Sequence, residues 1–178
     1  MNRLLLHICC APCSTHVFKI LTGEYNVSGF FYNPNIYPLE EYNLRIDAAR
    51  SLSKEFQFDL IEGEIDEELW NKKVSGLESE PEGGKRCEVC FRFRLDKTAA
   101  FASQNGFDVF ASTLTISPHK NADAINKIGE DVSRKYEIEF LVRDFKKRNG
   151  FANSLKLSKE HNLYRQKYCG CRYSRKQS

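Results

Sequence analysis

The chain has 178 residues, 41% of them hydrophobic, which is enough for one packed domain with a real core. Its 27 Lys and Arg stand against 24 Asp and Glu, and the resulting charge of only +3 argues against a general polyanion binder. No apolar stretch approaches membrane-spanning length and the first residues do not read as a signal peptide, so a soluble, cytoplasmic protein without membrane contact is expected.

Leu4-Leu5-Leu6-His7-Ile8 reads as a buried strand that stops at Cys9-Cys10-Ala11-Pro12-Cys13. Pro12 suits the first turn of a helix, where its missing N–H costs nothing; Val17, Phe18, Ile20 and Leu21 give that helix an apolar face, and Gly23 ends it. Val27 to Tyr32 is a second strand, followed by the loop Asn33-Pro34-Asn35-Ile36-Tyr37-Pro38. A helix is expected from about Leu39 to Phe56, then a third strand from Phe58 to Glu62. Asp66 can cap a short helix through Trp70 and Val74, and Glu78 to Gly84 is an acidic, Gly-rich loop expected to be the most mobile segment. It leads into Lys85-Arg86-Cys87-Glu88-Val89-Cys90 and a long helix through Ala102 that Asn105-Gly106 terminates. Phe107 to Thr113 is a fourth strand, and Leu114 to Asn121 is a polar loop holding Ser117-Pro118-His119-Lys120. Ala122 to Tyr136 is a helix with Ile125, Ile128 and Val132 at helical spacing, and Ile138 to Val142 is the fifth strand. A final helix near Asn153 to His161 precedes a cysteine-bearing basic tail over about 162–178, with Arg165, Lys167, Arg172, Arg175 and Lys176. Such a tail suits a solvated end or contact with nucleic acid.

Strands alternating with helices predict an α/β fold: one domain over 1–178, built on a five-stranded parallel sheet with right-handed crossovers. Ligands of such sheets bind beyond the carboxyl ends of the strands. The segments leaving them, Cys9 to Cys13, Asn33 to Asn35, Asp66, Thr113 to Lys120 and Asp144, should therefore share one rim.

In a reducing compartment seven cysteines, an odd number, are not expected to form structural disulfides. Cys9, Cys10 and Cys13 form C-C-x-x-C, Cys87 and Cys90 form C-x-x-C at a helix start, and Cys169 and Cys171 form C-x-C. These groups lie too far apart for a zinc ribbon, and all-thiolate donors suit an iron–sulfur cluster. Zinc and a redox-active dithiol are the other readings of the same residues. A four-iron cluster takes at most four thiolates and leaves three of the seven, which a further metal could use with Asp144 as an added carboxylate. Side chains alternate along an extended strand, so Cys9 and Cys10 are expected to fork, one thiol to the cluster and one to a neighbouring centre or the substrate. His7 reads as a core histidine, His16 as structural, and His119 as placed for substrate contact or proton delivery. Neither G-x-G-x-x-G nor G-x-x-x-x-G-K-[ST] occurs, so no dinucleotide or nucleoside triphosphate site is signalled.

Taken in order, His7-Ile8-Cys9-Cys10-Ala11-Pro12-Cys13, Tyr32-Asn33-Pro34-Asn35-Ile36, Cys87-Glu88-Val89-Cys90-Phe91-Arg92, Thr113-Leu114-Thr115-Ile116-Ser117-Pro118-His119-Lys120, Arg143-Asp144-Phe145-Lys146-Lys147 and Tyr164-Arg165-Gln166-Lys167-Tyr168-Cys169-Gly170-Cys171 resemble the QueH type of epoxyqueuosine reductase over nearly the whole chain. The resemblance implies iron–sulfur-dependent, cobalamin-independent reduction of the epoxide of epoxyqueuosine to queuosine at the tRNA wobble position. It also implies the adenine-nucleotide α-hydrolase (HUP/Rossmann-like) fold, with strand order 3-2-1-4-5.

On that resemblance a 4Fe–4S cluster is expected on Cys9, Cys10, Cys87, Cys90, Cys169 and Cys171, with Cys13 and Asp144 completing a metal set that has room for an additional iron. Asp144, His119 and Tyr32 are the catalytic candidates, and Asn33, Asn35, Lys120, Arg165 and Tyr168 the substrate-binding ones. The expected partners are tRNA carrying epoxyqueuosine and an electron donor that the sequence does not identify. Two other functions fit the residues: a thiol-redox or sulfur-transfer enzyme acting on tRNA, in which Cys87 and Cys90 cycle as a dithiol, and a zinc-stabilised tRNA-binding module.

Overall fold

Leu4, Leu5 and Leu6 form the middle of a strand with neighbours on both edges and helices on both faces, which is why the run is apolar without alternation. This strand, β1 (Arg3–His7), lies at the centre of a five-stranded sheet in the computed structural model, which describes residues 1–175; Lys176 of the basic tail lies outside the described residues. With β2 (Asn26–Phe31), β3 (Leu60–Glu62), β4 (Val109–Ser112) and β5 (Glu139–Phe140), the order is 3-2-1-4-5 and every pair is parallel, as expected.

Leu4, Leu6 and Ile8 pack with Val17, Phe18 and Leu21 of α1 (Ala11–Leu21) and with Tyr42, Ile46 and Ala49 of α2 (Leu39–Phe56). On the opposite face, Leu5, Phe30 and Phe110 meet Leu95 and Ala99 of α4 (Lys85–Gln104) and Ile125, Ile128 and Val132 of α5 (Ala122–Tyr136). The short α3 (Glu67–Val74) leans on α4, and α6 (Gly150–Glu160) lies along α1.

The structure differs from the expected elements mainly at their ends. β3 starts at Leu60 and β5 is only two residues long, as suits the two edge strands. β4 ends at Ser112, whose Oγ accepts from the Leu114 N–H at 3.2 Å and turns the chain into a 3₁₀ turn over Thr113–Ile116. α6 begins at Gly150, three residues early, and Gly150 lies against the Phe145 carbonyl, where a Cβ would come within 1.8 Å of the oxygen. Asp66 does occupy the N-cap position of α3, but its carboxylate accepts from the Tyr32 hydroxyl at 2.7 Å and makes no capping bond.

Because all pairings are parallel, every strand delivers its following segment to the same edge of the sheet. That rim carries Cys9 to Cys13, Asn33 to Asn35, Asp66, Thr113 to Lys120 and Asp144. The segment after α6 then folds back across it.

Candidate metal centre

β1 ends at His7, whose ring is buried and fully used. Its Nε2 lies 3.0 Å from the Tyr32 carbonyl and its Nδ1 2.9 Å from Ser112 Oγ, so Nε2 carries the hydrogen and Nδ1 accepts from the hydroxyl. Burial, with the nearby Arg94 charge, pulls its pKa down to about 3, and the imidazole is a neutral strut. Cys9 and Cys10 follow as the chain leaves the strand; Cys10 is the extended N-cap of α1, and Cys13 sits in its first turn beside Pro12.

The Sγ atoms of Cys9, Cys10 and Cys13 all lie within 4.8 Å of one another. Cys9 and Cys10 do start on opposite faces, Cys9 against the α4–α5 side, yet their sulfurs are 3.9 Å apart. Turning into α1 swings both thiols over the end of the strand, close enough to serve one centre or two adjacent ones. Two donors serve them. Thr113 Oγ1 accepts from the Cys9 N–H at 3.1 Å and donates to Cys9 Sγ at 3.2 Å, and Gln166 Nε2 donates to Cys10 Sγ at 2.9 Å.

Hydrogen bonds from Cys10 and Cys13 hold the Cys9 pKa well below the usual thiol range, while hydrogen bonds with Cys10 and Cys9 push Cys13 up and burial pushes Cys10 up to about 12. Sulfurs this close cannot all ionise against one another, whereas a coordinated metal deprotonates its thiols outright. The trio therefore has the donor softness, the spacing and the charge frustration of a metal ligand set. Among the described residues no His, Asp or Glu joins these three as a ligand group.

Cys87 and Cys90 come from the first two turns of α4. Cys87 Sγ accepts from the Gly83 N–H at 3.2 Å, and Cys90 is buried with Trp70, Val74 and Cys171. Burial raises both pKa values, to about 11 for Cys90, and the charges of Cys169 and Cys171 add to the rise. Cys169 and Cys171 are held by the returning tail. Arg45, 3% exposed on α2, donates from Nη1 and Nη2 to the Cys169 and Tyr168 carbonyls at 2.9 and 3.0 Å and from Nε to Glu41 at 2.7 Å. The Tyr37 N–H donates to the Gly170 carbonyl at 2.9 Å, and Arg172 pairs with Glu67. Gly170 has φ +128° and presses on Arg45, Asn35 and Ile36, so the C-x-C pair needs a glycine between its cysteines.

Positive charge faces the thiols from two sides. Lys120, half-buried in the loop after β4, is pulled down by burial, but the charges of Cys169, Cys9 and Cys13 outweigh that and bring it to about 12. Arg94 is buried one turn after Cys90, with Nη1 2.9 Å from Asn35 Oδ1 and 3.9 Å from Cys90 Sγ.

The other sequence candidates are distributed around this centre. Asn33 is buried and donates to the Ile8 carbonyl at 2.8 Å, leaving its Oδ1 without a partner. Asn35 receives Arg94. Tyr32 spends its hydroxyl on Asp66, and burial and that bond raise its pKa. His119 is exposed on its loop. Asp144 pairs with Lys146, which lies 3.3 Å away and donates its N–H at 3.1 Å. Arg165 is exposed, whereas Tyr168 lies under the Arg45 guanidinium and donates to the Tyr37 carbonyl.

Four contributors were not singled out from the sequence: Thr113, Gln166, Arg45 and Arg94. Thr113 and Gln166 lie inside the quoted motifs without an assigned role. Arg94 stands at i+4 from Cys90 on one helix, a spacing that puts it on the cysteine's face. Arg45 carried no local signal, since its partners lie 123 and 124 positions away.

A family model described as "Epoxyqueuosine reductase QueH" matches residues 4–177. Curated relatives include "Epoxyqueuosine reductase QueH" of Streptococcus pyogenes serotype M1, 45% identical over 97% of this chain and 70% of that protein. The Haemophilus influenzae protein of the same description is 40% identical over 99% of this chain and 73% of its own length. Among solved structures, the U34-tRNA thiolase NcsA from Methanococcus maripaludis, described with its [4Fe-4S] cluster, superposes with TM-score 0.60 at 17% identity, covering 98% of this chain and 61% of that one. A predicted subunit of tRNA methyltransferase from Methanocaldococcus jannaschii superposes with TM-score 0.61 at 13% identity, over 90% and 75%. At these identities the two structures speak to the fold.

Proposed function

Because the chain belongs to the epoxyqueuosine reductase QueH family, we propose that its rim of thiols holds a 4Fe–4S cluster, with an additional iron taken up beside it. The chain is an oxidoreductase that converts epoxyqueuosine to queuosine in tRNA. The observation that supports the cofactor is the convergence of Cys9, Cys10 and Cys13 within 4.8 Å, on a rim where Cys87, Cys90, Cys169 and Cys171 bring four more thiols. Four of the seven thiolates would ligate the cluster, and the remaining thiols would hold the additional iron together with Asp144, which would exchange its Lys146 partner for the metal.

Removing the epoxide oxygen as water and leaving an alkene consumes two electrons and two protons. A cluster held by these thiols would supply the electrons singly, drawn from an external donor. The protein's own residues supply the rest. His119, exposed at the mouth of the rim, gives a proton to the departing oxygen, a role open to it because Tyr32 has its hydroxyl engaged on Asp66 at 2.7 Å. Lys120 keeps positive charge beside the thiols and the oxygen that leaves, while Asn33, whose buried Oδ1 is unpartnered, and Asn35, which holds Arg94, remain the substrate-binding candidates of the loop after β2. Arg165 and Lys167, both exposed, meet the backbone of the tRNA wobble-position loop. Among the described residues no helix is long and apolar enough to cross a membrane, and the seven cysteines are free thiols, which supports a cytoplasmic site of action.

Anaerobic reconstitution with iron and sulfide, followed by metal and sulfide analysis and an assay on epoxyqueuosine-containing tRNA, tests this reading. Bound iron with sulfide and formation of queuosine are expected. Protein that takes up zinc, retains no sulfide and leaves the epoxide intact overturns it.

A further inference from the structure

Arg94 is 2% exposed, and its charge has no ordinary partner. Nη1 donates to Asn35 Oδ1 at 2.9 Å, a neutral acceptor, and lies 3.9 Å from Cys90 Sγ. Nε and Nη2 have no acceptor at all, and among the described residues no carboxylate pairs with the guanidinium. Thr98, one turn further along α4, bonds back to the Arg94 carbonyl and leaves the guanidinium to itself.

Such a group is costly to bury. An arginine cannot shed its proton to become neutral, as a buried lysine or histidine can, so the fold has to offer it negative charge. Neutral thiols do not provide that. Thiolates bound to a metal centre do, because four of them outweigh the charge of a cluster core, and hydrogen bonds and cations near the sulfurs raise the potential at which such a centre accepts an electron. Asn35 fixes the side chain from the loop after β2, 3.9 Å from the Cys90 thiol.

We infer that Arg94 is a positioning residue of the metal centre: held by Asn35, it supplies the counter-charge for the loaded thiolates and sets the reduction potential upward. The inference rests on the thiols holding an iron–sulfur cluster. A purely structural arginine, serving only to join α4 to the Asn35 loop, would leave the potential alone.

The test is an anaerobic spectroelectrochemical titration of reconstituted full-length protein, with iron and sulfide measured on each sample. Arg94→Met is expected to disfavour one-electron reduction about tenfold, a shift of about 59 mV to more negative potential. Arg94→Lys keeps the charge and stays within about threefold of the parent. Asn35→Asp sets a carboxylate against the guanidinium and shifts the potential in the same direction as Arg94→Met, which keeps the inference testable if the methionine variant does not fold. Parent potentials in both Arg94→Met and Asn35→Asp, at parent iron and sulfide content, overturn it. If the parent itself retains no sulfide, the cluster reading falls, and Cd(II) affinity then decides on Arg94. There an approximately tenfold loss in Arg94→Met supports counter-charge to the thiolates, and an unchanged affinity overturns it.

Discussion

Gln166 Nε2 donates to Cys10 Sγ at 2.9 Å across 156 positions of the chain, joining the tail to the first strand's end. The bond stabilises a thiolate more than a thiol, and the amide's own Oε1 is buried without a partner. Gln166→Leu therefore leaves the metal-free protein near its parent stability but weakens the loaded centre by about 1.5–3 kcal/mol. Urea titrations with and without metal, together with iron retention under a chelator, check this; equal losses in both forms would refute it.

Arg45→Met removes the donors to the Cys169 and Tyr168 carbonyls and strands the buried carboxylate of Glu41. The cost is expected at about 3–5 kcal/mol, as for other broken buried pairs. Limited proteolysis should then cut first between Tyr164 and Arg175, ahead of any site in the sheet.

Gly170 and Gly129 make an instructive pair. An alanine at 170 takes a strained φ and sets its Cβ 3.0 Å from Arg45 Nη1, so about 1–3 kcal/mol of stability and the iron content should fall together. An alanine at 129 meets the Phe140 ring at 2.3 Å, where α5 packs on β5. It should cost a similar ~1–3 kcal/mol by overpacking while iron per folded chain stays at the parent value. Thermal melts paired with iron analysis separate the two.

Tyr32→Phe deletes the bond to Asp66 and is expected to cost about 1 kcal/mol while turnover stays within twofold of the parent, a factor of about the size of that energy's own uncertainty. His119→Ala should instead lower kcat by about 10²–10⁴ with the melting temperature unchanged, as loss of a general acid does. Single-turnover assays on epoxyqueuosine-containing tRNA distinguish them, and the reverse pattern would move the proton donor to the tyrosine.

Binding of the substrate tRNA should weaken with salt, and the double change Arg165→Ala, Lys167→Ala should lower the slope of log affinity against log salt by about one to two. A slope that does not change would remove this part of the tail from the RNA contact.

The sheet and its order were legible because Leu4 to Ile8, most of Val27 to Tyr32 and Val109 to Ser112 are buried and leave little choice of element. The thiol groups were legible because their short spacings are local. What escaped was held by distant partners. The convergence of the Cys9 and Cys10 sulfurs depends on where α1 turns, and the docking of the tail depends on Arg45, which meets it 123 and 124 positions away. Asp66 shows the same limit: its position at the start of α3 was readable, but Tyr32, 34 residues earlier, claims its carboxylate.

The tail's place over the rim also sets an order of events during synthesis. The strand that presents Cys9 and Cys10 emerges first, and the parallel sheet around it can form once β5 is made. Gln166, Cys169 and Cys171 come later, so a growing chain passes through an interval with a finished scaffold and uncovered sulfurs. In that interval the thiols are open to oxidants and to stray zinc. With the proposed cluster as cofactor, iron and sulfide are therefore expected to be loaded after the tail has been translated, and pausing translation between α6 and Gln166 should enrich mismetallated chains.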